Sequence, residues 1–514
     1  MEVSIMKALA FFSWSVLLIS FIFVLVKLFY SLWWKPKRLE KQLKQQGIRG
    51  TSYKLFHEDK MVMKKLSIEA WSNPMSLNHE IVPRVNPFLH QMVQNYGKIC
   101  MCWIGTRPRL IIGKAELIRL ILNDKDGQFQ KPPQNPLVDI LTMGVSTLEG
   151  EKWTNRRRLI TPAFHNEKIQ GMVPEIFASC CSLIDRWKKL VPSDGSSEID
   201  IKPEVQSLFS DVIARTAFGS SYKEGKKIFE LQKEQAVLVN EAFQALYLPG
   251  FRFLPTKKNR RRYKLDAEIK AMLREIICKK QRAMQKGESE NGDLLGLLLQ
   301  CTEQQDNDMT IEDVIEECKL FYYVGQETTV NWLTWTLILL SMHLEWQEKA
   351  RQEVVQICGR TAPDFEILNR LKIVTMVLYE VLRLYPSVVH LFRYTVQRTN
   401  IGEISIPEGV EVFLPIMLLH HDSEYWGDDA EEFKPERFAE GISKASGDQL
   451  AFYPFGWGPR ICLGQSFAIV EAKLALAMIL QQFSFKLSPL YTHAPYTVIT
   501  LQPQHGAPII LQQI

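Results

Sequence analysis

From Ala8 to Val26 the chain carries no charge, only Ala, Phe, Trp, Ser, Val, Leu and Ile, and apolar character resumes after Lys27 as far as Trp34. A helix of that length crosses a bilayer, so whatever folds after it folds beside a membrane. Trp33 and Trp34 lie where interfacial aromatics belong, and Lys35, Lys37, Arg38, Lys41 and Lys44 follow, whereas only Glu2 and Lys7 precede. The excess of cations on one flank places the N-terminus in the lumen and the remainder in the cytosol. A cleaved signal peptide fits less well, because no Ala-x-Ala-like site follows and the charge lies on the wrong side. The expected division is a membrane anchor over residues 1–34, a basic linker over 35–50 punctuated by Pro36, Gly47 and Gly50, and a catalytic body over 51–514.

The chain as a whole has the composition of an ordinary globular protein with a large core, 46% hydrophobic and 23% charged. A net charge of +5 is small for 514 residues and argues against a nucleic-acid partner. There is neither a Walker A loop nor a Gly-x-Gly-x-x-Gly run, since Ile461 stands where the third glycine after Gly456 and Gly458 would be. Nine scattered cysteines with no framework spacing, and no Asn-x-Ser/Thr sequon, fit a body in a reducing compartment.

Ile99 to Ile104 and Arg109 to Ile112 flank Gly105-Thr106-Arg107-Pro108 and read as a hairpin; helical patterns dominate beyond it. Between Gln128 and Gly150, three prolines interleave with Leu137, Val138, Ile140, Leu141 and Met143, too broken for a regular element and too apolar for an ordinary loop. Such a segment suits either a binding loop over a pocket or a loop folded on itself. The basic run Lys257 to Lys264 reads as a solvated helix start, and Glu288 to Asp293 as a polar loop. Thr310 followed by Asp313 is a variant capping box opening an apolar helix to about Leu340.

Phe455-Gly456-Trp457-Gly458-Pro459-Arg460-Ile461-Cys462-Leu463-Gly464 sets one cysteine in a glycine-rich turn, before an apolar run that can start a helix. Glycines let a flat cofactor approach the backbone, and amides of the turn and helix start stabilise a negative sulfur. A haem iron can be held by such a thiolate; a buried structural cysteine is the plain alternative. Within the apolar helix sits Val324-Gly325-Gln326-Glu327-Thr328-Thr329, an acid beside threonines that can bond back along the helix and loosen its turn. Trp153 and Arg157 share a helical face, as do Glu380 and Arg383 in an apolar segment that argues for burial. Which of Arg156, Arg157 and Arg158 reaches inward does not follow from spacing.

Phe455, Gly458, Arg460, Cys462 and Gly464 match the haem-binding signature of the cytochromes P-450, and the order of the other motifs along the whole chain resembles membrane-bound eukaryotic members of that family. The resemblance implies a mainly α fold with small β-sheets, an α+β arrangement behind one N-terminal transmembrane helix, and haem b held by Cys462. It further implies that Gly325 clears space above the haem and that Glu327 and Thr328 relay protons; Val324 stands where alanine or glycine is usual. Trp153, Arg157, Arg393 and Arg460 fall where relatives hold haem propionates. Glu380 and Arg383, with Arg437 of Pro435-Glu436-Arg437-Phe438, resemble a bracing triad. Leu137, Val324, Val388, Val389, Leu391, Val498 and Ile499 fall in the substrate region. Leu248 to Asn259 and Pro162-Ala163-Phe164-His165 are similar to the plant family-72 group, which includes secologanin synthases and triterpenoid oxidases.

That resemblance implies a monooxygenase of the endoplasmic reticulum membrane, single-pass with a cytosolic body. It would use O2 and electrons from NADPH through NADPH-cytochrome P-450 reductase on an apolar substrate, a triterpenoid ahead of an iridoid. A haem-thiolate isomerase or dehydratase working without reductase competes, although it has no need of Glu327 and Thr328, as does a non-catalytic haem sensor. Membrane lipid is the other expected partner.

Overall fold

The computed structural model describes residues 2–514 apart from 56–58, 134, 193–194, 220–221, 245–249, 288–291, 304–308, 360, 362 and 448. Leu248 and Pro249, and the first part of the expected loop at Glu288, lie outside the described residues.

Helix α1 (Glu2–Phe29) passes through a π-helical turn, Tyr30–Trp34, into α2 (Lys35–Lys44) without a break. The apolar window of this continuous helix has no buried residue, as expected of a segment that spans lipid. The expected linker is largely helix: Leu39, Glu40 and Leu43 of α2 are buried against the body. Glu40 bridges Lys37 and Lys44, at 2.8 Å each. Tyr53 donates its hydroxyl to the Leu32 carbonyl, and its ring meets Trp33 edge-on at 6.5 Å. Composition pointed to a linker because a 3.6-residue stripe of two leucines is faint among so many lysines.

A six-stranded sheet follows. β1 (Arg49–Gly50) pairs in parallel with β2 (Ile99–Ile104), and β2 pairs antiparallel with β3 (Arg107–Ile112), forming the hairpin read from sequence. β4 (Phe129–Gln130) is the far edge. Period-two alternation assigns the faces. Met101, Leu110 and Ile112 point into the main core, while Cys100, Cys102 and Ile111 close a smaller cluster with Leu89 and Met92.

The proline-broken stretch contains a helix after all, α3 (Pro136–Thr142). Asn135 caps it by accepting from the Leu137 amide at 3.0 Å, and Pro136 occupies the first turn, where its missing N–H costs nothing. α4 (Gly150–Ile160) comes next, then β5 (Ser196–Asp200), which leads directly into α5 (Ile201–Phe218). In α6 (Lys257–Gln285) the basic run pairs outward, Lys258 with Glu241 at 2.7 Å and Arg261 with Glu234 at 2.5 Å, while Asn259 and Arg262 turn inward.

The central element is α7 (Ile311–Met342), opened by the Thr310/Asp313 capping box and buried along most of its length. α8 (Lys372–Leu384) and α9 (Gln465–Gln482) pack against it, and β6 (Leu391–Thr395) and β7 (Glu411–Leu414) follow α8 in the chain. β7 joins β3 in parallel and β6 antiparallel, completing the sheet. A last hairpin, β8 (Pro495–Val498) and β9 (Thr500–Pro503), leans its tip on α7. The architecture is the mainly helical, α+β one that the sequence implies.

Candidate active site

The cysteine turn is closed by its own backbone. Gly456 N–H donates to Tyr453 O at 3.0 Å, Ile461 N–H to Gly458 O at 3.1 Å, and Cys462 N–H to Phe455 O at 2.9 Å. Gly458 lies at φ +70°, and a Cβ there would fall 2.3 Å from the Leu122 carbonyl oxygen, so no other residue fits. Phe455 meets Trp332 of α7 edge-on at 5.9 Å, fixing the distance between turn and helix.

Cys462 opens onto interior space rather than onto bulk solvent: the residue is exposed, yet its turn lies deep in the fold. Burial pushes its thiol above the ordinary value, while the Gly464 amide and the Arg157 guanidinium pull it back. The structure decides among the three arginines of α4. Arg157 donates to Ile461 O at 2.8 Å within the cysteine turn. Arg156 instead pairs with Glu317 at 2.8 Å and Asp313 at 3.0 Å on α7, and Arg158 is exposed.

Arg460 stacks over the Trp153 ring at 4.3 Å, donates to Leu148 O at 3.1 Å and pairs with Glu149. Arg393, 4% exposed on β6, bonds only its neighbour's carbonyl, Phe392 O, among the described contacts. Lys131, which the sequence reading missed, completes the group: its amide donates to Glu149 at 2.8 Å, and its ammonium faces Arg393 and Arg460. Burial, then the like charges of Arg393 and Arg460, pushes Lys131 down to about 7, and burial, then Arg460, pushes Arg393 down to about 10. Three cations thus converge on one carboxylate that Arg460 already engages. In sequence, Lys131 had only the surrounding prolines as a signal.

On α7, Val324, at 39% exposure, and the partly exposed Thr328 lie on the turns just before Trp332, whose ring meets Phe455 of the cysteine turn. Thr328 bonds back to Val324 O at 2.9 Å, the loosened turn anticipated from sequence. Two positions differ from expectation. Gly325 points at α5, where an added Cβ would meet Ile213 Cδ1 at 2.8 Å, so this glycine permits a close helix crossing instead of clearing cofactor space. Glu327 turns away from Thr328 and accepts from Thr500 Oγ1 at 2.9 Å and Asn331 Nδ2 at 3.1 Å.

Of the expected substrate residues, Val324, Val388, Leu391, Val498 and Ile499 are at least partly exposed. Val389 (1%) and Leu137 (2%) are instead core residues. Ile499, the hairpin tip, is held at φ +69°, an unusual conformation for a β-branched side chain.

Glu380 and Arg383 are both fully buried and joined by two hydrogen bonds of 2.8 and 2.7 Å. Arg383 also donates to the carbonyls of His420, Ala430 and Glu432, and Glu380 accepts from the Lys434 amide at 2.9 Å. Arg437 stands farther off, 3.6 Å from Glu380, and its shorter bonds go to Asp429 and Trp426 O. The cluster therefore pins the segment from residue 420 to 438, which leads into the cysteine turn.

These residues fit haem. An accessible thiol sits in a glycine turn packed against α7, and a crowded cation group lacks the two carboxylates that a porphyrin would bring.

The family model described as "Cytochrome P-450" matches residues 74–503. Cytochrome P-450 CYP72A616 of Paris polyphylla is 52% identical over 491 residues, covering 94% of this chain and 95% of that protein. The 11-oxo-beta-amyrin 30-oxidase of Glycyrrhiza uralensis is 48% identical over 495 residues, covering 94% of each. Among solved structures, the retinoic-acid-bound cyanobacterial CYP120A1 superposes with a TM-score of 0.73 at 24% identity, covering 86% of this chain and 98% of that one.

Proposed function

The chain belongs to the cytochrome P-450 family, a haem-thiolate monooxygenase similar to the plant family-72 enzymes, and from that premise we propose that it oxidises a triterpenoid, with an iridoid as second choice. Electrons come from NADPH through NADPH-cytochrome P-450 reductase, and the protein sits in the endoplasmic reticulum membrane with its body in the cytosol. The observation that carries the chemistry is the closeness of the cysteine turn to α7: Phe455 meets Trp332, one turn beyond Thr328, at 5.9 Å, with Cys462 and Val324 both accessible. The substrate class rests on the amyrin oxidase relative.

Bound haem supplies the activation of O2 that inserts one oxygen atom into an unactivated C–H bond. Cys462 would hold the iron, and the Gly464 amide and Arg157 favour its thiolate. Trp153 and Arg460 would hold the cofactor's carboxylates, with Arg393 and Lys131 beside them, and those carboxylates would relieve the cations' mutual repulsion. Phe455, Gly458 and Gly464 shape the turn. Thr328 Oγ1 hands protons into the oxygen side, and Glu327 Oε1 resupplies them once it turns towards Thr328. Val324, Val388, Leu391, Val498 and Ile499 orient the apolar substrate and exclude water. Glu380, Arg383 and Arg437 brace the cysteine turn.

Microsomes containing this chain and a reductase, fed triterpenoid and iridoid panels, test the reading. An NADPH-dependent oxidised triterpenoid is expected. Product from iridoids alone reverses the substrate order, and turnover without reductase favours an isomerase. The carbon monoxide difference spectrum should lose its thiolate-type band in Cys462→Ser; an unchanged band refutes the ligand assignment.

A further inference from the structure

Glu327 is partly buried, and its carboxyl is held by the substrate-facing hairpin. Thr500 follows Ile499 at the tip and is 3% exposed. Its hydroxyl donates to Glu327 Oε1 at 2.9 Å, and Asn331 Nδ2, one turn along α7, reaches both that Oε1 at 3.1 Å and Thr500 Oγ1 at 3.0 Å. The tip is tied to α7 twice more. Trp335 Nε1 donates to Leu501 O at 3.1 Å, and Ser387 links the helix to the strand, its hydroxyl donating to Thr328 O at 2.9 Å and its carbonyl accepting from Leu501 N–H at 3.1 Å. These ties hold Ile499 in a conformation that a β-branched residue avoids. Val498 and Ile499 are accessible, so the residues that the proposed function gives to the substrate adjoin the residue that holds the acid.

We infer that Thr500 is a positioning residue that couples substrate binding to proton delivery: with the tip at rest its hydroxyl holds Glu327 away from Thr328, and displacement of Val498 and Ile499 by a bulky apolar substrate releases the carboxyl. The inference deepens the proposed function and rests on the relay assigned there to Glu327. Held by Thr500, the acid cannot pass a proton to Thr328 Oγ1, and the substrate-free enzyme does not waste NADPH. Released, it rotates about its own side chain towards Thr328, and its Oε2 proton moves to Thr328 Oγ1 as that hydroxyl's own proton passes to the oxygen side, leaving a carboxylate. Lys202 of α5, which donates to Gln502 Oε1 at 2.6 Å on β9, lies near that carboxylate and is the group that would recharge it. Facing the same carboxyl are Lys233 from the Tyr222–Gln244 helix, Tyr323 of α7 and Tyr496 of β8. Burial raises the Glu327 carboxyl above its ordinary value, and the Thr500 bond opposes that rise most among the favourable contacts.

The test compares the holoenzyme with Thr500→Val, Thr500→Ser and Glu327→Gln in the presence of reductase. One hydrogen bond to a charged acceptor corresponds to about a tenfold change in population or more. Substrate-free NADPH consumption and hydrogen peroxide release should therefore rise about tenfold in Thr500→Val and return in Thr500→Ser. An infrared titration, following the protonated-carboxyl band that Glu327→Gln abolishes, should show a higher midpoint in Thr500→Val; loss of mere packing would not move it. An unmoved band with wild-type NADPH consumption overturns the inference. A moved band, with the product-to-NADPH ratio unaltered in both Thr500→Val and Glu327→Gln, overturns the relay reading and the coupling with it.

Discussion

Replacing Glu380 with glutamine leaves the Arg383 guanidinium fully buried without the carboxylate it bonds at 2.7 and 2.8 Å. The three carbonyls on its other side still accept, but none carries a charge. Breaking a buried ion pair on one side costs about 3–5 kcal/mol. A chain of 514 residues has an unfolding entropy of about 1 kcal/mol per kelvin near its midpoint, so melting should fall by about 3–5 °C. The exposed Lys227–Glu230 pair, with both side chains more than half accessible, is the control, and its removal should move melting by about 1 °C or less. Because the same cluster pins the residues leading into the cysteine turn, Glu380→Gln should also bind less haem per chain at the growth temperature. Differential scanning calorimetry in detergent and the carbon monoxide difference spectrum measure the two effects. A Glu380→Gln protein melting within about 1 °C of the parent, with a full thiolate-type band, would refute the reasoning.

Val324→Ala widens the pocket at a residue 39% exposed towards the oxygen side, and the product ratio from the true substrate should change; an unchanged ratio by chromatography removes Val324 from selectivity. In Gly325→Ala the clash with Ile213 at 2.8 Å costs about 1–3 kcal/mol against roughly 1 kcal/mol of gained helix preference, and Ile213→Val in the same chain should recover the loss in melting temperature. Lys131→Gln should release haem several-fold faster to apomyoglobin without moving the thiolate band, and an unchanged release rate would show that its ammonium does not touch the cofactor. Burial pushes His420, which accepts from the Tyr453 amide, and His79, paired with Tyr385 and His343, down to about 3. Histidines that stay neutral when folded give stability that is complete above the unfolded value of 6.5 and is lost as pH falls towards 3, about 1.4 kcal/mol per pH unit for each. Melting temperature should thus drop steeply below about pH 6, and a flat profile down to about pH 5 would contradict the burial of these rings.

Where a local rule determines the geometry, sequence sufficed. The capping box at Thr310, the hairpin around Gly105, the glycine turn before Cys462 and the back-bonded Thr328 all follow from chemistry within a few residues. The positions whose contacts no local pattern reveals depend on partners far along the chain. Gly325 answers to Ile213, Glu327 to Thr500, and Val389 to a core that no local pattern reveals. Arg157 could be told from Arg156 only once Glu317 and Asp313, some 160 residues on, were seen to claim the latter. Lys131 is the same case reversed: an ordinary lysine made unusual by Arg393 and Arg460 arriving from β6 and the cysteine turn. The α3 helix was within reach, since Asn135-Pro136 is a helix-start signal, but the prolines before it outweighed that signal.

The unbroken passage from α1 through the π-helical turn into α2 makes the membrane segment a stiff mast. Tyr53 on Leu32 and Trp33, and Lys37 over the Trp33 ring at 5.8 Å, clamp its base to the body. Anchored in a bilayer as proposed, a body carried this way would not tumble at the end of a tether; it would spin about the bilayer normal at a set height, always offering the same side to lipid and the same side to solvent. Collisions with the proposed reductase in that membrane would then become a search in two dimensions with orientation largely settled beforehand. Time-resolved anisotropy would report this as one slow rotation, and a glycine-serine insertion after Trp34 should add a fast component.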